Sequence, residues 1–323
     1  MPHIRLVPDD TKIDFFRWRK FTGWGSIIVS ILSVVAWIVL GLNFGIDFRG
    51  GTTIRTEATA PVDVGAYRAA ITPLGLGDVA ISQVFDPSFG ATQNVATIRI
   101  QAQDQAEAVP PDTIDAVETA LKSVDPTIRF TSVESIGPKV SGELIQTAFI
   151  AVGLSLLLIC VYIWLRFEWQ FAVGALVSLF HDVIVTIGVF AVLQIRFDLT
   201  TIAALLTIIG YSINDTVVIF DRLRENLRRY KTTPLIDLMN LSVNETLGRT
   251  VMTSGTTLLA LIALLVLGGD VIRGFVFAIT FGIVIGTYSS LYVAKNIVLW
   301  LGVKRDWSKP DAQAGTQFAD AEN

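Results

Sequence analysis

Six long apolar stretches constrain this chain more than any other feature of its sequence. A helix needs roughly 20 mostly apolar residues to cross the bilayer core, which is about 30 Å thick. The stretches run from Trp24 to Phe44, Leu144 to Leu165, Phe171 to Ile195, Leu199 to Phe220, Thr250 to Leu267 and Val271 to Val298. Hydrophobic residues make up 52% of the chain and charged residues 17%, which excludes a purely soluble protein. We expect an α-helical integral membrane protein with six transmembrane helices.

The distribution of Lys and Arg predicts the orientation of these helices. Positive residues accumulate in the short loops on the cytoplasmic side of a membrane protein. Fifteen lie in the two tails, the turn after the second helix and the loop after the fourth, whereas the opposite short loops hold only Arg196 and Arg273. We therefore expect both termini in the cytoplasm, with residues 1–23 and 302–323 as tails and the second tail disordered.

The polar segment 45–143, between the first and second helices, must then lie on the outer face of the membrane. Short runs within it have the character of strands and helices in the order βαββαβ, which is typical of a ferredoxin-like α+β unit. The runs are Thr52–Thr56, Val62–Ile71, Val79–Phe85, Val95–Gln101, Pro111–Leu121 and Ile128–Val133. Residues 101–111 are expected to form a flexible loop. We expect a periplasmic domain that binds or docks, because the segment shows no nucleophile–base pair and no ligand cluster.

The sequence offers little for a cofactor, a metal or a nucleic acid. Cys160 is the single cysteine, which excludes an internal disulfide and a Cys-rich metal site. The two histidines, His3 and His181, leave little for a zinc or haem site. The net charge of −4 is too small to indicate nucleic-acid binding. We expect no cofactor, no metal and no nucleic-acid partner.

Three charged residues at membrane depth are candidate functional residues, because ionisable groups there are energetically costly. At about 1.5 Å per residue, Asp215 and Arg249 lie about 24 and 28 Å from the outer surface, and Asp182 about 16 Å from the cytoplasmic edge. We expect Asp215 and Arg249 to pair and to act as a proton relay; a static salt bridge is the alternative. Asp182 is either a further relay residue or structural. His181 points about 100° away from it and is expected to pack or to lie at the interface.

Polar residues at helical spacing accompany each charge and could line a thin wet path through the bundle, because residues three or four apart share a helix face. The predicted lining residues are Ser178, Thr186, Tyr211, Ser212, Asn214, Thr253 and Thr256. The sixth helix carries a stripe of small residues, which permits close packing inside the bundle or against a partner subunit. The stripe is Gly282, Gly286, Ser290 and Ala294.

Four longer sequence motifs contain many of the residues discussed above. They are FGIDFRGGT at Phe44–Thr52, HDV at His181–Val183, GYSINDTVVIFDRLREN at Gly210–Asn226 and NETLGRTVMTSGTT at Asn244–Thr257. Together they resemble the SecD/SecF family of bacterial protein-export membrane proteins, within the resistance-nodulation-division (RND) transporters. The resemblance covers the chain from Phe15 to about Val303.

The resemblance implies that the chain is half of an RND-type bundle in the bacterial inner membrane, with SecD as the other half. The pair would work with the Sec translocon, SecYEG, and its associated membrane subunits. It would use the proton-motive force to draw unfolded preprotein to the periplasmic side, and it would not be an enzyme. The family implicates Asp215 and Arg249 in proton passage and Asp182 more weakly. We expect the first motif to provide a hinge at Gly45, Asp47, Gly50 and Gly51.

Three other functions remain open at this point. An RND-type exporter of small molecules or lipids would use the same proton machinery, but it normally needs both halves. An intramembrane aspartyl protease would use Asp182 and Asp215 as paired carboxylates. Their difference in depth of about 7 Å and the arginine partner of Asp215 argue against it. A passive scaffold would need no proton gradient.

Overall fold

The computed structural model describes residues 8, 11–77, 79–86, 89–90, 93–101 and 109–303. Much of the two predicted tails and most of the predicted loop at 101–111 lie outside these residues. In chain order the elements are α1 (Arg19–Leu40), β1 (Asn43–Phe44), α2 (Ile46–Arg49), β2 (Gly51–Ala58), α3 (Val64–Ile71), β3 (Val79–Val84), β4 (Asn94–Gln101), α4 (Pro111–Lys122), β5 (Arg129–Ile136), α5 (Pro138–Arg166), α6 (Trp169–Leu193), β6 (Arg196–Phe197), α7 (Leu199–Arg229), α8 (Leu235–Leu267), α9 (Asp270–Ser289) and α10 (Lys295–Leu301).

Within the described ranges, six helices are long and apolar enough to cross a membrane. They are α1, α5, α6, α7, α8 and a sixth helix in which a π-helical turn, Ser290–Ala294, joins α9 to α10. The predicted mostly helical fold with six membrane helices is therefore confirmed. We call the end of the bundle where residues 45–137 leave it the domain end, and the opposite end the terminal end.

The inserted segment forms one antiparallel sheet of four strands in the order β3-β4-β2-β5, with α3 and α4 packed on it. Side chains of β4 alternate, so that Ala96, Ile98 and Ile100 enter the core beside Val117 and Leu121 of α4. This alternation follows from the two-residue period of a strand. The element order βαββαβ agrees with the sequence prediction.

Two of the membrane helices, α7 and α8, extend well beyond their apolar stretches. α7 continues nine residues past Phe220, and α8 begins fifteen residues before Thr250. The ion pair between Arg222 of α7 and Glu245 of α8, at 2.8 Å, connects these extensions, and Arg222 also pairs with Glu225 of its own helix at 2.5 Å. Charged helix ends of this kind suit the water and headgroup region beside a membrane rather than its interior.

An N-terminal segment closes the terminal end of the bundle. Its side chains Phe15 and Phe16 are buried in an aromatic cluster with Phe167, Phe171 and Phe220. Two asparagines of α8 hold its backbone: the Asn244 side-chain oxygen accepts the N–H of Ile13, and that of Asn240 accepts the N–H of Phe15, both at 2.9 Å.

Candidate functional site

Helices α6, α7 and α9 approach one another closely at the centre of the bundle because glycines line their contacts. A Cβ atom on Gly282 would lie 2.3 Å from Ile208 Cδ1, and one on Gly286 would lie 3.0 Å from Ser212 Cβ. Ala294 contacts α6 in the same manner, since a Cβ on Gly174 would lie 2.8 Å from its carbonyl oxygen. The small-residue stripe of the sixth helix therefore packs inside the bundle, which is the first of its two predicted roles.

Asp182 lies at the centre of a buried polar network between these helices. Its side chain is 1% exposed. Carboxylate Oδ2 accepts hydrogen bonds from Ser212 Oγ of α7 at 2.7 Å and from Ser289 Oγ of α9 at 2.8 Å. Oδ1 lies 3.1 Å from Nδ1 of His181. His181 is buried beside the ring of Tyr288, and it also contacts the Asp182 carboxylate, a contact that the sequence did not predict.

The network continues from Asp182 along two routes. Towards the terminal end, Thr216 Oγ1 and Ser290 Oγ are 2.8 Å apart, and Ser290 also donates to the carbonyl of Ser212. Towards α1, the His181 ring lies 6.2 Å from the ring of Tyr288, whose hydroxyl is 3.0 Å from Ser26 Oγ. Hydroxyl groups both donate and accept hydrogen bonds, so the Thr216–Ser290 pair and the Tyr288–Ser26 pair can each pass a proton between their two hydroxyl groups. The backbone carbonyl of Ser212 and the contact between the two rings interrupt the direct connection of these pairs to Asp182.

Asp215 lies one helical turn from Ser212 and is 3% exposed. Its Oδ2 accepts a long hydrogen bond of 3.4 Å from Ser254 Oγ of α8, and Ser254 is 2.9 Å from Thr287 Oγ1 of α9. The two buried carboxylates share no hydrogen bond with each other among the described residues. They therefore lack the shared proton of the paired carboxylates in an aspartyl protease.

Arg249 occupies a different position from the one predicted. It is exposed, and among the described residues it forms no ion pair with Asp215 within 4.0 Å. Ser254 is the side chain of α8 that contacts Asp215, whereas the sequence predicted that the Arg249 guanidinium would do so. The reason is helical phase: Thr250 and Ser254 point inward from α8, whereas Arg249 lies one residue, or about 100°, away from Thr250.

The predicted lining residues divide into three groups. Ser212 joins the Asp182 network directly, and Tyr211 donates to Thr257 at 3.3 Å. Four others donate to a backbone carbonyl of their own helix and do not reach either carboxylate side chain: Ser178, Thr186, Thr253 and Thr256. Asn214 is exposed, as is Thr256.

Sequence reasoning missed several members of the network: Ser254, Ser289, Thr216, Thr287 and His181. Two signals could have found some of them. Ser289 and Ser290 are adjacent polar residues inside the longest apolar stretch, and Ser254 lies four residues after Thr250. A face traced through Thr250 instead of Arg249 leads directly to Ser254.

The first motif is hydrogen-bonded to the membrane bundle at two places. β1 pairs in parallel with β6, and the Gly45 N–H donates to the Phe197 carbonyl at 2.8 Å. Asp47 Oδ2 accepts the N–H of Leu199, the first residue of α7, at 3.0 Å. After Asp47, α2 ends at Arg49, and only Gly50 separates it from Gly51, which already pairs with Ile136 of β5. Both glycines have positive φ, 71° and 133°.

Within the described residues, no group of three or more His, Cys, Asp or Glu side chains could hold a metal ion. The site therefore consists of two buried carboxylates, one histidine and a set of hydroxyl groups. These groups can take up, pass on and release protons. The fold and the site together define a multi-pass membrane protein with a buried, protonatable network.

Comparisons with known proteins identify the family. Residues 116–304 match the family described as protein export membrane protein SecD/SecF, C-terminal, and residues 35–62 match the SecD/SecF GG motif. The chain belongs to the SecD/SecF family. It is 66% identical to the protein translocase subunit SecF of Cereibacter sphaeroides, and the match covers 98% of both chains. It is 61% identical to that of Rhodobacter capsulatus, over 95% of this chain and 94% of the relative.

Two solved structures are similar to this one. The crystal structure of SecDF, a translocon-associated membrane protein from Thermus thermophilus, has a TM-score of 0.81 and 34% identity over 92% of this chain. SecDF in its super-membrane-facing form has a TM-score of 0.67 and 36% identity over 90% of this chain. In both comparisons the chain spans 39% of the length of the SecDF chain.

Proposed function

We propose that this chain is a subunit of the bacterial protein translocase that couples the proton-motive force to preprotein movement. The identity of 66% to a translocase subunit SecF over almost the full length supports this function. The chain would lie in the inner membrane with both termini in the cytoplasm, so that the terminal end of the bundle is cytoplasmic and the domain end periplasmic. The strand order supports a ferredoxin-like assignment for the periplasmic domain.

The observation that carries the proton-coupling proposal is the burial of Asp182 and Asp215 among hydroxyl groups. Buried carboxylates cost free energy and rarely stabilise a fold, so their presence inside a membrane bundle indicates function. Asp215 would bind and release the transported proton. Asp182, with its hydroxyl donors and His181, would link Asp215 to the rest of the network. The chain would carry out no covalent chemistry and would serve as an accessory subunit.

Arg249 would act from the surface that faces a second half of the transporter. Asn214, Arg249 and Thr256 are exposed on neighbouring faces of α7 and α8, beside the buried Asp215. Lipid cannot satisfy the Asn214 amide or the Arg249 guanidinium, because each unpaired polar group costs several kcal/mol in hydrocarbon. SecD is the partner that would cover this surface, as the match to fused SecDF chains supports. SecYEG, its associated membrane subunits and the unfolded preprotein would be the further partners.

The test is preprotein translocation into vesicles with and without a proton gradient, using the chain in complex with SecD. Asp215→Asn should lose the gradient-dependent part of translocation while the complex stays intact. Asp221→Asn is the matched control, because Asp221 lies on the same helix, is exposed and pairs with Arg166. Arg249→Lys should also impair the gradient-dependent part, since lysine lacks the planar donor fork of arginine. Normal gradient dependence in Asp215→Asn would refute the proposal.

A further inference from the structure

A buried lysine near the terminal end of the bundle has no role in the network described so far. Lys295 begins α10, directly after the π-helical turn, and is 1% exposed. Its Nζ has no hydrogen-bond partner, and among the described residues it forms no ion pair within 4.0 Å. π-helical turns occur often at functional sites, where they change the direction of a side chain.

Three aromatic rings surround the Lys295 amine. Nζ lies 4.2 Å from the ring centroid of Phe16, 4.8 Å from that of Phe15 and 5.1 Å from that of Tyr292. The faces of aromatic rings attract a cation, so this cage can hold an ammonium group without a counter-ion. Two of the three rings belong to the N-terminal segment and not to the helix that carries the lysine.

The charged groups on the surrounding elements do not neutralise Lys295 by contact. Asp14 lies in the N-terminal segment, and its carboxylate accepts the backbone N–H groups of Phe16 and Arg17. Glu168 precedes α6 and is buried, and Glu245 of α8 is engaged by Arg222 and Asn226. A buried amine without a partner is costly in its charged form. Lysine can release its proton when buried, which arginine cannot do.

The rings that cover Lys295 are held by few bonds. The backbone of the N-terminal segment is attached to the bundle through the side chains of Asn240 and Asn244, at Phe15 and Ile13. Displacement of this short segment would remove two sides of the cage and open the amine to the solvent at the terminal end. The segment therefore has the geometry of a removable seal.

Lys295 also lies on the same helix as the network. Ser289 donates to Asp182, and Ser290 is bonded to Thr216, both on the side of Lys295 that faces the centre of the bundle. Six residues separate Ser289 from Lys295, or about 9 Å along the helix axis. We propose that Lys295 is the last proton carrier on the cytoplasmic side of the relay, and that Phe15 and Phe16 form the seal that separates it from cytoplasmic water.

The proton transfer balances without any further reactant. The carboxylic acid of protonated Asp215 releases its proton through the hydroxyl groups and bridging water and becomes a carboxylate; the Lys295 amine accepts that proton and becomes an ammonium ion held by the three rings. When the seal opens, the ammonium ion gives the same proton to cytoplasmic water and returns to the amine. This inference rests on the proposed proton coupling.

The first experiment compares Lys295→Arg, Asp215→Asn and the wild type in gradient-driven translocation by the full complex with SecD. Lys295→Arg should lose the gradient-dependent part, because arginine keeps the charge and the ring contacts but does not release a proton. A purely structural anchor would keep its function in this variant, since arginine also binds aromatic faces. Loss in Asp215→Asn with normal transport in Lys295→Arg would overturn this inference alone. Normal transport in both would overturn the proton coupling itself.

The second experiment needs no variant and remains decisive if Lys295→Arg does not assemble. The wild-type complex in vesicles is treated from the cytoplasmic side with a water-soluble amine-reactive reagent, and modification of Lys295 is measured by peptide mass spectrometry. An imposed proton gradient should increase modification of Lys295 over the level with an uncoupler, while exposed Lys20 stays equally modified in both. Equal protection of Lys295 in both conditions would overturn the seal.

Discussion

At the residue scale, the hydroxyl groups of Ser212 and Ser289 stabilise the buried carboxylate of Asp182 by donating hydrogen bonds to it. Ser289→Ala removes one of the two hydroxyl donors to Oδ2 and leaves the carboxylate buried. We expect the free energy of unfolding to fall by about 1–3 kcal/mol, the usual cost of leaving a buried polar group unsatisfied. Ser178→Ala is the control, because Ser178 is equally buried but bonds only the Ala175 carbonyl of its own helix. Equal losses in the two variants, measured in detergent, would contradict the role of Ser289.

The identity of the key residues was easier to predict than their contacts. Asp182 and Asp215 stand out because a carboxylate in an apolar stretch is rare, and this needs no structure. Their partners depend on the helical phase of α8 and α9, which a single apolar stretch defines poorly. A shift of one residue, from Arg249 to Thr250, exchanges the exposed face for the buried one and explains why Ser254 was missed.

At the scale of elements, Gly282 sets the distance between α7 and α9. In Gly282→Ala the new methyl group would overlap the side chain of Ile208, so the helices must separate or Ile208 must move. We expect a loss of about 1–3 kcal/mol in stability, the usual cost of overpacking. Thermal unfolding of the detergent-solubilised protein measures this loss, and Gly153→Ala is the control because nothing lies within 4 Å of that position. In a double-mutant cycle with Ile208→Ala, the two losses should be less than additive, because the smaller side chain makes room for the methyl group; additive losses would contradict the overlap.

Helices and strands could be distinguished in the sequence because their hydrophobic periods differ. Some of their boundaries, however, could not be predicted. The strands of the inserted domain begin and end within three residues of their predicted bounds, since alternation and turn residues mark both ends. α7 and α8 run much further than predicted, because hydropathy detects only the part of a helix that fits the membrane. The ion pairs of Arg222 sustain the helices beyond that part.

At the scale of the whole molecule, a disulfide can test whether the inserted domain must move. A Cβ on Gly269, in the turn after α8, would lie 3.5 Å from Asp86 Cβ of the domain, which is within the range that a disulfide needs. In a Cys160→Ser background, the pair Asp86→Cys and Gly269→Cys should cross-link under oxidation and stop translocation. Reduction should restore it, and each single-cysteine variant serves as a control. Full activity of the cross-linked protein would show that this motion is not needed.

The exposed polar face of α7 and α8 predicts that the isolated chain is incomplete. Purified without SecD, the chain should self-associate or unfold at a lower temperature than the complex, because Asn214, Arg249 and Thr256 lack a partner surface. Size-exclusion chromatography and thermal unfolding in detergent measure both effects. A monodisperse chain that gains no stability from SecD would contradict the prediction. No sequence pattern revealed this face, because its exposure depends on how helices pack.

The bonds between the first motif and α7 have a mechanical consequence. β1 pairs with β6, and the Asp47 carboxylate accepts a hydrogen bond from the N–H of Leu199. These bonds attach the segment that leads into the inserted domain, which we call the stalk, to the start of α7, the helix that carries Asp215. A hydrogen-bonded helix is stiff along its axis, and only about 24 Å separates Leu199 from Asp215. An axial force on the stalk would therefore be transmitted along α7 to Asp215 with little stretching of the helix. If Asp215 binds the proton as proposed, a force on the inserted domain would reach the proton-binding residue, and a displacement of that residue would reach the domain.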